Sequence, residues 1–142
     1  MTAYVLDASV VISRLVRDNY TPNAVVLFQQ MKISDQFHIP EFCRLECVNV
    51  LWKHVRFQGL PPLQAEKSIR DLLALPLQVD PIQGLFTDAL RIGLRHQLAV
   101  YDSVYIALAQ RLNIPLISID QRQINAALQE KVTLKPITDF TA

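Results

Sequence analysis

The feature that most constrains this chain is an alternation. Four short apolar runs, at residues 4–6, 37–39, 77–79 and 116–119, are separated by stretches whose apolar residues recur at helical spacing. Such runs read as brief buried strands, and strands alternating with helices argue for a parallel sheet covered on both faces. The spacing predicts helices over about 8–17, 21–33, 41–57, 63–74, 84–97, 101–112 and 121–129, with a last strand near 132–134. Thr21-Pro22 marks a helix start, and Gly59-Leu60-Pro61-Pro62 interrupts another. The expected fold class is α/β: a three-layer α/β/α sandwich with a central parallel sheet. One domain spans 1–142, with about 60–75 as a helical arm within it.

Composition sets the class. With 142 residues, 51% hydrophobic and 19% charged, the chain can bury a core and is not disordered. Apolar residues are left over for an interface. The apolar run 4–16 is broken by Asp7 and Arg14, so no membrane span is expected. No basic leader region precedes the first strand, which gives a cytoplasmic expectation. Cys43 and Cys47 lie four apart on one helix, a poor disulfide geometry. They share a face with His54, but a zinc site lacks a fourth ligand there, so the thiols read as core residues.

The acids carry the chemistry. Asp7 directly follows the first strand and Asp120 the last of the four runs. Asp102 opens a helix, and Glu46 lies early in the helix after the second strand. In open parallel sheets, ligands bind beyond the carboxyl ends of the strands, so the four carboxylates point to one rim. Each has an ordinary alternative. Asp7, Asp102 and Asp120 suit helix N-caps, and Asp120-Gln121-Arg122-Gln123 matches a capping box. Glu46, Asn49, Lys53 and Arg56 form one polar stripe on a helix that otherwise reads as mostly buried.

Clustered carboxylates repel and take up protons unless a cation joins them. Oxygen donors without His or Cys favour Mg²⁺ or Mn²⁺. That ion chemistry suits phosphodiester hydrolysis. Net charge is +1; setting the four acids aside from the 13, nine acids face 14 bases, a modestly basic body around an acidic pocket. Ser9, Ser103 and Ser118 have no histidine placed for a triad. Three glycines, Gly59, Gly84 and Gly93, are too few and too scattered for a phosphate-binding glycine loop.

Four motifs resemble those of the PIN-domain ribonuclease family. They are Tyr4-Val5-Leu6-Asp7-Ala8-Ser9-Val10, then Pro40-Glu41-Phe42 with Glu46 and Leu51, then Tyr101-Asp102-Ser103-Val104-Tyr105-Ile106-Ala107-Leu108-Ala109, and Pro115-Leu116-Ile117-Ser118-Ile119-Asp120. The resemblance runs in order along nearly the whole chain. It implies a metal-dependent endoribonuclease, with Asp7, Glu46, Asp102 and Asp120 as catalytic and metal-site acids and Ser9 and Ser118 as supporting hydroxyls. It also implies the VapC-type toxin of a toxin–antitoxin pair: a homodimer held by a small antitoxin protein. Some relatives carry a further acid where this chain has Gln123 or Asn125, which leaves one or two metals open.

Other readings compete. An RNA-processing or decay nuclease would share every one of these residues. A non-catalytic PIN-like interaction module would not need all four acids. A receiver-like signalling domain would need a second acid beside Asp7. Lys53, Arg56 and Arg14 are the first candidates for RNA contact, followed by Arg17, Arg91 and Arg95. Tyr20, Phe57 and Tyr101 are candidates for base stacking, with Phe57 read as core. The RNA target, the antitoxin and the general acid are not written in these motifs.

Overall fold

The computed structural model describes residues 2–31 and 36–142. In chain order it contains β1 (Ala3–Leu6), α1 (Ala8–Leu15), α2 (Thr21–Gln29), β2 (Gln36–Pro40), α3 (Cys43–Gln58), α4 (Pro62–Ala74) and β3 (Leu77–Asp80). There follow α5 (Phe86–His96), α6 (Val100–Leu112), β4 (Leu116–Ile117) and α7 (Gln121–Gln129). Short 3₁₀ turns cover Gln83–Leu85 and Ile137–Asp139.

The strands form one parallel sheet in the order β3-β2-β1-β4. Val5 pairs with both His38 and Leu116, so β1 is central. Val5 and Leu6 are adjacent, and so point to opposite faces of the sheet. Both are fully buried, as are Leu116 and Ile117. Helices therefore cover both faces, the expected three-layer α/β arrangement. The chain lays down β1, β2 and β3 in one direction, then returns to place β4 on the other side of β1. That reversal leaves a crevice at the carboxyl ends of β1 and β4.

Two backbone positions require glycine. Gly59 ends α3 at φ 75°, a left-handed conformation that costs other residues more. Gly93 lets α5 and α6 close: a Cβ there would stand 2.8 Å from the Leu98 carbonyl and 3.3 Å from Ser103 Oγ. The segment 60–75 is largely α4, which packs on α1 and α3 through Ala65, Ser68 and Leu72. Among the described residues, no helix is long and apolar enough to cross a membrane.

Several boundaries differ from the sequence expectation. Helix α2 ends at Gln29; of its expected extension to Ile33, residues 32 and 33 lie outside the described residues. The run 116–119 is a strand only over Leu116–Ile117. Its partner β1 ends at Leu6, and the next amides turn to hydroxyls instead: Ile119 N–H donates to Ser9 Oγ and Asp120 N–H to Ser118 Oγ. The expected strand at 132–134 reduces to one bridge between Leu116 and Leu134, because a two-residue β4 offers a single rung. Helix α3 is not mostly buried. Only Cys43, Cys47 and Leu51 are, while Leu45 and Trp52 are exposed. Phe57, read as core, is 68% exposed.

Candidate active site

All four acids stand at helix N-termini, where unsatisfied N–H groups and the helix dipole favour negative charge. Asp7 is the N-cap of α1 and Asp120 the N-cap of α7; Glu46 and Asp102 lie in the first turns of α3 and α6. The strand ends fix the two caps. Asp7 N–H donates to the Ile117 carbonyl, joining the end of β1 to the end of β4. Four segments far apart in sequence thus bring carboxylates to the crevice where the sheet order reverses.

Asp7 is the most enclosed. It is 6% exposed, and its Oδ2 accepts from Ser9 N–H at 3.1 Å. Its Oδ1 accepts from Gln123 Nε2 at 3.2 Å. Burial raises its pKa against the lowering effect of these bonds, and the Asp120 charge raises it further. Glu46 is pushed up to about 7, mainly by burial and then by the charges of Asp7 and Asp102. The Tyr105 hydroxyl opposes this by donating to Glu46 Oε1 at 2.6 Å. Asp102 is pushed up to about 6 by burial, Asp7 and Asp120, with Arg122 pulling the other way. Asp120 is exposed, and its Oδ1 accepts from the N–H groups of Arg122 and Gln123. Every acid of the four feels at least one other.

Two residues complete the site in roles that motif reading alone did not give them. Gln123 also matches a capping box, the ordinary alternative for Asp120, and it does not close one. The Asp120 N–H is taken by Ser118, and the Gln123 side chain turns inward instead. Its Nε2 donates to Asp7 and, at 3.0 Å, to the Asp102 carbonyl. Two acceptors fix which end of the amide faces them. Gln123 Oε1 is left buried without a hydrogen-bond partner among the described residues. Tyr105, fully buried, is the second; its position one turn after Asp102 was the available signal. Ser9 and Ser118 sit as expected beside the acids. Their hydroxyls accept backbone N–H groups and so shape the loop between β4 and α7.

The basic and aromatic candidates divide. Lys53 and Arg56 are exposed further along α3, and Arg56 lies over the Phe57 ring at 5.1 Å. Arg14 lines a different groove, with Arg17 and Phe140, formed by α1, α2 and the end of the chain. Arg95 is held by Glu130 through two bonds of 2.9 Å. Tyr101 stands at the crevice, 65% exposed.

A divalent ion was implied by the resemblance, and the donor chemistry fits it. The donors are all oxygen, and burial with mutual repulsion favours whatever brings positive charge. Among the described residues, no three His, Cys, Asp or Glu side chains already surround one point. Cys43 and Cys47 are free and buried, with their mutual contact and then burial pushing the Cys47 thiol up. They are core residues, as expected.

Comparison with known proteins places the chain. A family model described as PIN domain matches residues 4–128. The chain is 28% identical over 120 residues to "Ribonuclease VapC3" of Pyrobaculum aerophilum, covering 83% of this chain and 89% of that one. In fold it is similar to PAE2754 from Pyrobaculum aerophilum, with a TM-score of 0.72 at 17% identity over 97% of this chain and 85% of the other. It is also similar to a chain of VapBC2 from Rickettsia felis bound to a fragment of promoter DNA. There the TM-score is 0.67 at 14% identity, over 95% and 98% of the two chains.

Proposed function

The chain belongs to the PIN domain family, and on that premise we propose that it is a metal-dependent endoribonuclease and the toxin of a toxin–antitoxin pair. One observation supports the catalytic reading above the others. Carboxylates from four separate segments meet at one crevice, and three of them are held above their ordinary pKa. Four independent helix caps would have no reason to converge.

In this reading Asp7, Glu46, Asp102 and Asp120 hold Mg²⁺ or Mn²⁺. When bound, such an ion neutralises charge on a phosphodiester and makes water nucleophilic at neutral pH. The protein supplies position. Gln123 and Ser9 fix both oxygens of Asp7. Tyr105 orients Glu46 from within the core. Glu46, pushed up to about 7 without the ion, gives up its proton when the ion binds. Ser9 and Ser118 hold the loop that carries Asp120. Lys53 and Arg56 extend from the acids along α3 as phosphate contacts. No covalent nucleophile is needed.

The partner reading rests on the kinship with the VapC ribonuclease and on the uncovered surface. On α5, Phe86, Leu90 and Leu94 recur at four-residue spacing and are all more than half exposed. A stripe of that kind marks an interface, and we assign it to a homodimer. A small antitoxin protein is the second partner, and the cytoplasm the site of action.

Cleavage of labelled single-stranded RNA in Mg²⁺ or Mn²⁺ tests the activity, with EDTA and Asp7→Asn as controls. Metal-dependent cutting that disappears in Asp7→Asn is the expected result. An absence of both cutting and metal binding would overturn the catalytic reading.

A further inference from the structure

We propose that the hollow beside Glu46 and Asp102 is a nucleobase-binding subsite. In it, Tyr101 stacks on the base next to the scissile phosphate and Asn49 meets the edge of that base. The proposal rests on the nuclease reading and adds to it where the substrate base goes.

The hollow has a volume of about 400 Å³ and lies at the starts of α3 and α6. Its apolar wall is Phe42, Leu45 and Tyr101; its remaining polar groups are Glu46, Asp102 and Asn49. The same two helix starts thus present both the acids and the aromatics. Tyr101 precedes Asp102 in sequence, and Phe42 precedes Glu46 by one helical turn. A phosphodiester drawn to the acids carries its base one sugar away, beside this hollow.

The aromatic wall is built to stay in place. Phe42 meets Tyr101 edge to face at 5.4 Å and 86°, and meets the buried Tyr105 at 5.7 Å and 87°. Tyr105 in turn holds Glu46. Tyr101 is therefore braced from behind while 65% of it remains open. Single-stranded RNA is recognised by stacking splayed bases on such side chains, and by hydrogen bonds to base edges. Asn49 is exposed, and its amide can both donate and accept. The base is uncharged, so the carboxylates do not repel it as they repel a phosphate.

The other two stacking candidates do not compete. Phe57 is about 16 Å along α3 from Glu46 at 1.5 Å per residue, and it packs on Trp52 and Arg56. Tyr20 lines the start of α2, away from the acids.

The test is a coupling measurement. Binding of a short fluorescent single-stranded RNA is followed by anisotropy with Mn²⁺, in an Asp7→Asn background so that the RNA stays intact. One abasic nucleotide is walked through the RNA, and each oligomer is tested against Tyr101, Tyr101→Phe and Tyr101→Ala. At one position, loss of the base should weaken binding roughly tenfold. Tyr101→Ala should cost the same factor, and the two losses should not multiply. Tyr101→Phe should bind as the unchanged residue does. Losses that multiply at every position would overturn the subsite while leaving the nuclease standing. So would a Tyr101→Ala variant that binds RNA normally but shifts the monomer–dimer balance in sedimentation, since the hollow would then face protein. RNA that binds no variant, and that the chain with Asp7 kept neither binds nor cuts in Mn²⁺, would overturn the nuclease reading and the subsite together, and only this outcome touches the former. Tyr101 is exposed, so an unchanged melting temperature will show that the fold is intact.

Discussion

Tyr105→Phe removes one oxygen atom from a fully buried side chain and should weaken the protein in a pH-dependent way. The hydroxyl donates to Glu46 Oε1 at 2.6 Å. A hydrogen bond to an ionised group contributes about 1.5–3 kcal/mol, and one to a neutral group about 0.5–1.5 kcal/mol. Glu46 changes charge near pH 7 in the fold, against an ordinary value of 4.5. Above that pH the variant loses the stronger bond, and below it only the weaker one. The ionised form loses more, so its pKa must rise, by about one unit for a difference of about 1.4 kcal/mol. The open side of the crevice lets water replace part of the lost bond, which places both losses toward the lower ends of their ranges. Asp7 and Asp102 ionise in both proteins and cancel from the difference. The assay is urea unfolding of EDTA-treated protein at about pH 5.5 and about pH 8.5, with the Glu46 carboxyl followed by carbon NMR. A loss of equal size at both pH values, or a Glu46 titration that does not move upward, would refute the argument.

Three further outcomes are expected. Because Glu46 and Asp102 titrate near 7 and 6 instead of 4.5 and 3.8, the metal-free fold keeps protons that the unfolded chain releases. Its melting temperature should therefore fall as pH rises from about 4 to about 8, and saturating Mn²⁺ should reverse this at pH 8. Glu130 is held down to about 2, first by its bond to Arg95 and then also by His96. Its stabilisation is complete well above pH 4.5 and lost as pH falls through about 2, so Glu130→Gln should lower the melting temperature at pH 7, less so near pH 3, and leave it nearly unchanged only below about pH 2. Leu94→Glu, on the exposed stripe of α5, should leave the fold intact and give a 16.2 kDa monomer in sedimentation, whereas the unchanged chain should sediment as a dimer.

The sequence exposed the strands and their acids for a simple reason. A fully buried parallel strand must be apolar on both faces, so Leu6 and Ile117 are followed at once or nearly so by the first polar residues that can face a crevice. What escaped was whatever depends on a partner distant in sequence or absent. Gln123 has the right spacing for a capping box, and nothing local reveals that its amide is claimed by Asp7, 116 positions earlier. Helical spacing marked Leu45, Trp52 and Phe57 as apolar but could not show that they stay exposed among the described residues. The expected strand near 132–134 had suitable residues, and it failed because β4 is too short to template it.

The bond from Gln123 to Asp7 also sets an order of events during synthesis. Asp7 is made well before Gln123, and neither its Gln123 contact nor the β4 neighbour of β1 exists until those later segments are translated. At about 5–20 residues per second, some 4–15 s separate the appearance of Glu46 from that of Gln123. For all of that time the growing chain carries Asp7 and Glu46 but no assembled cluster of four. On the nuclease reading, a chain built in this order has no complete set of acids and no Gln123 brace until the segment after β4 has been made.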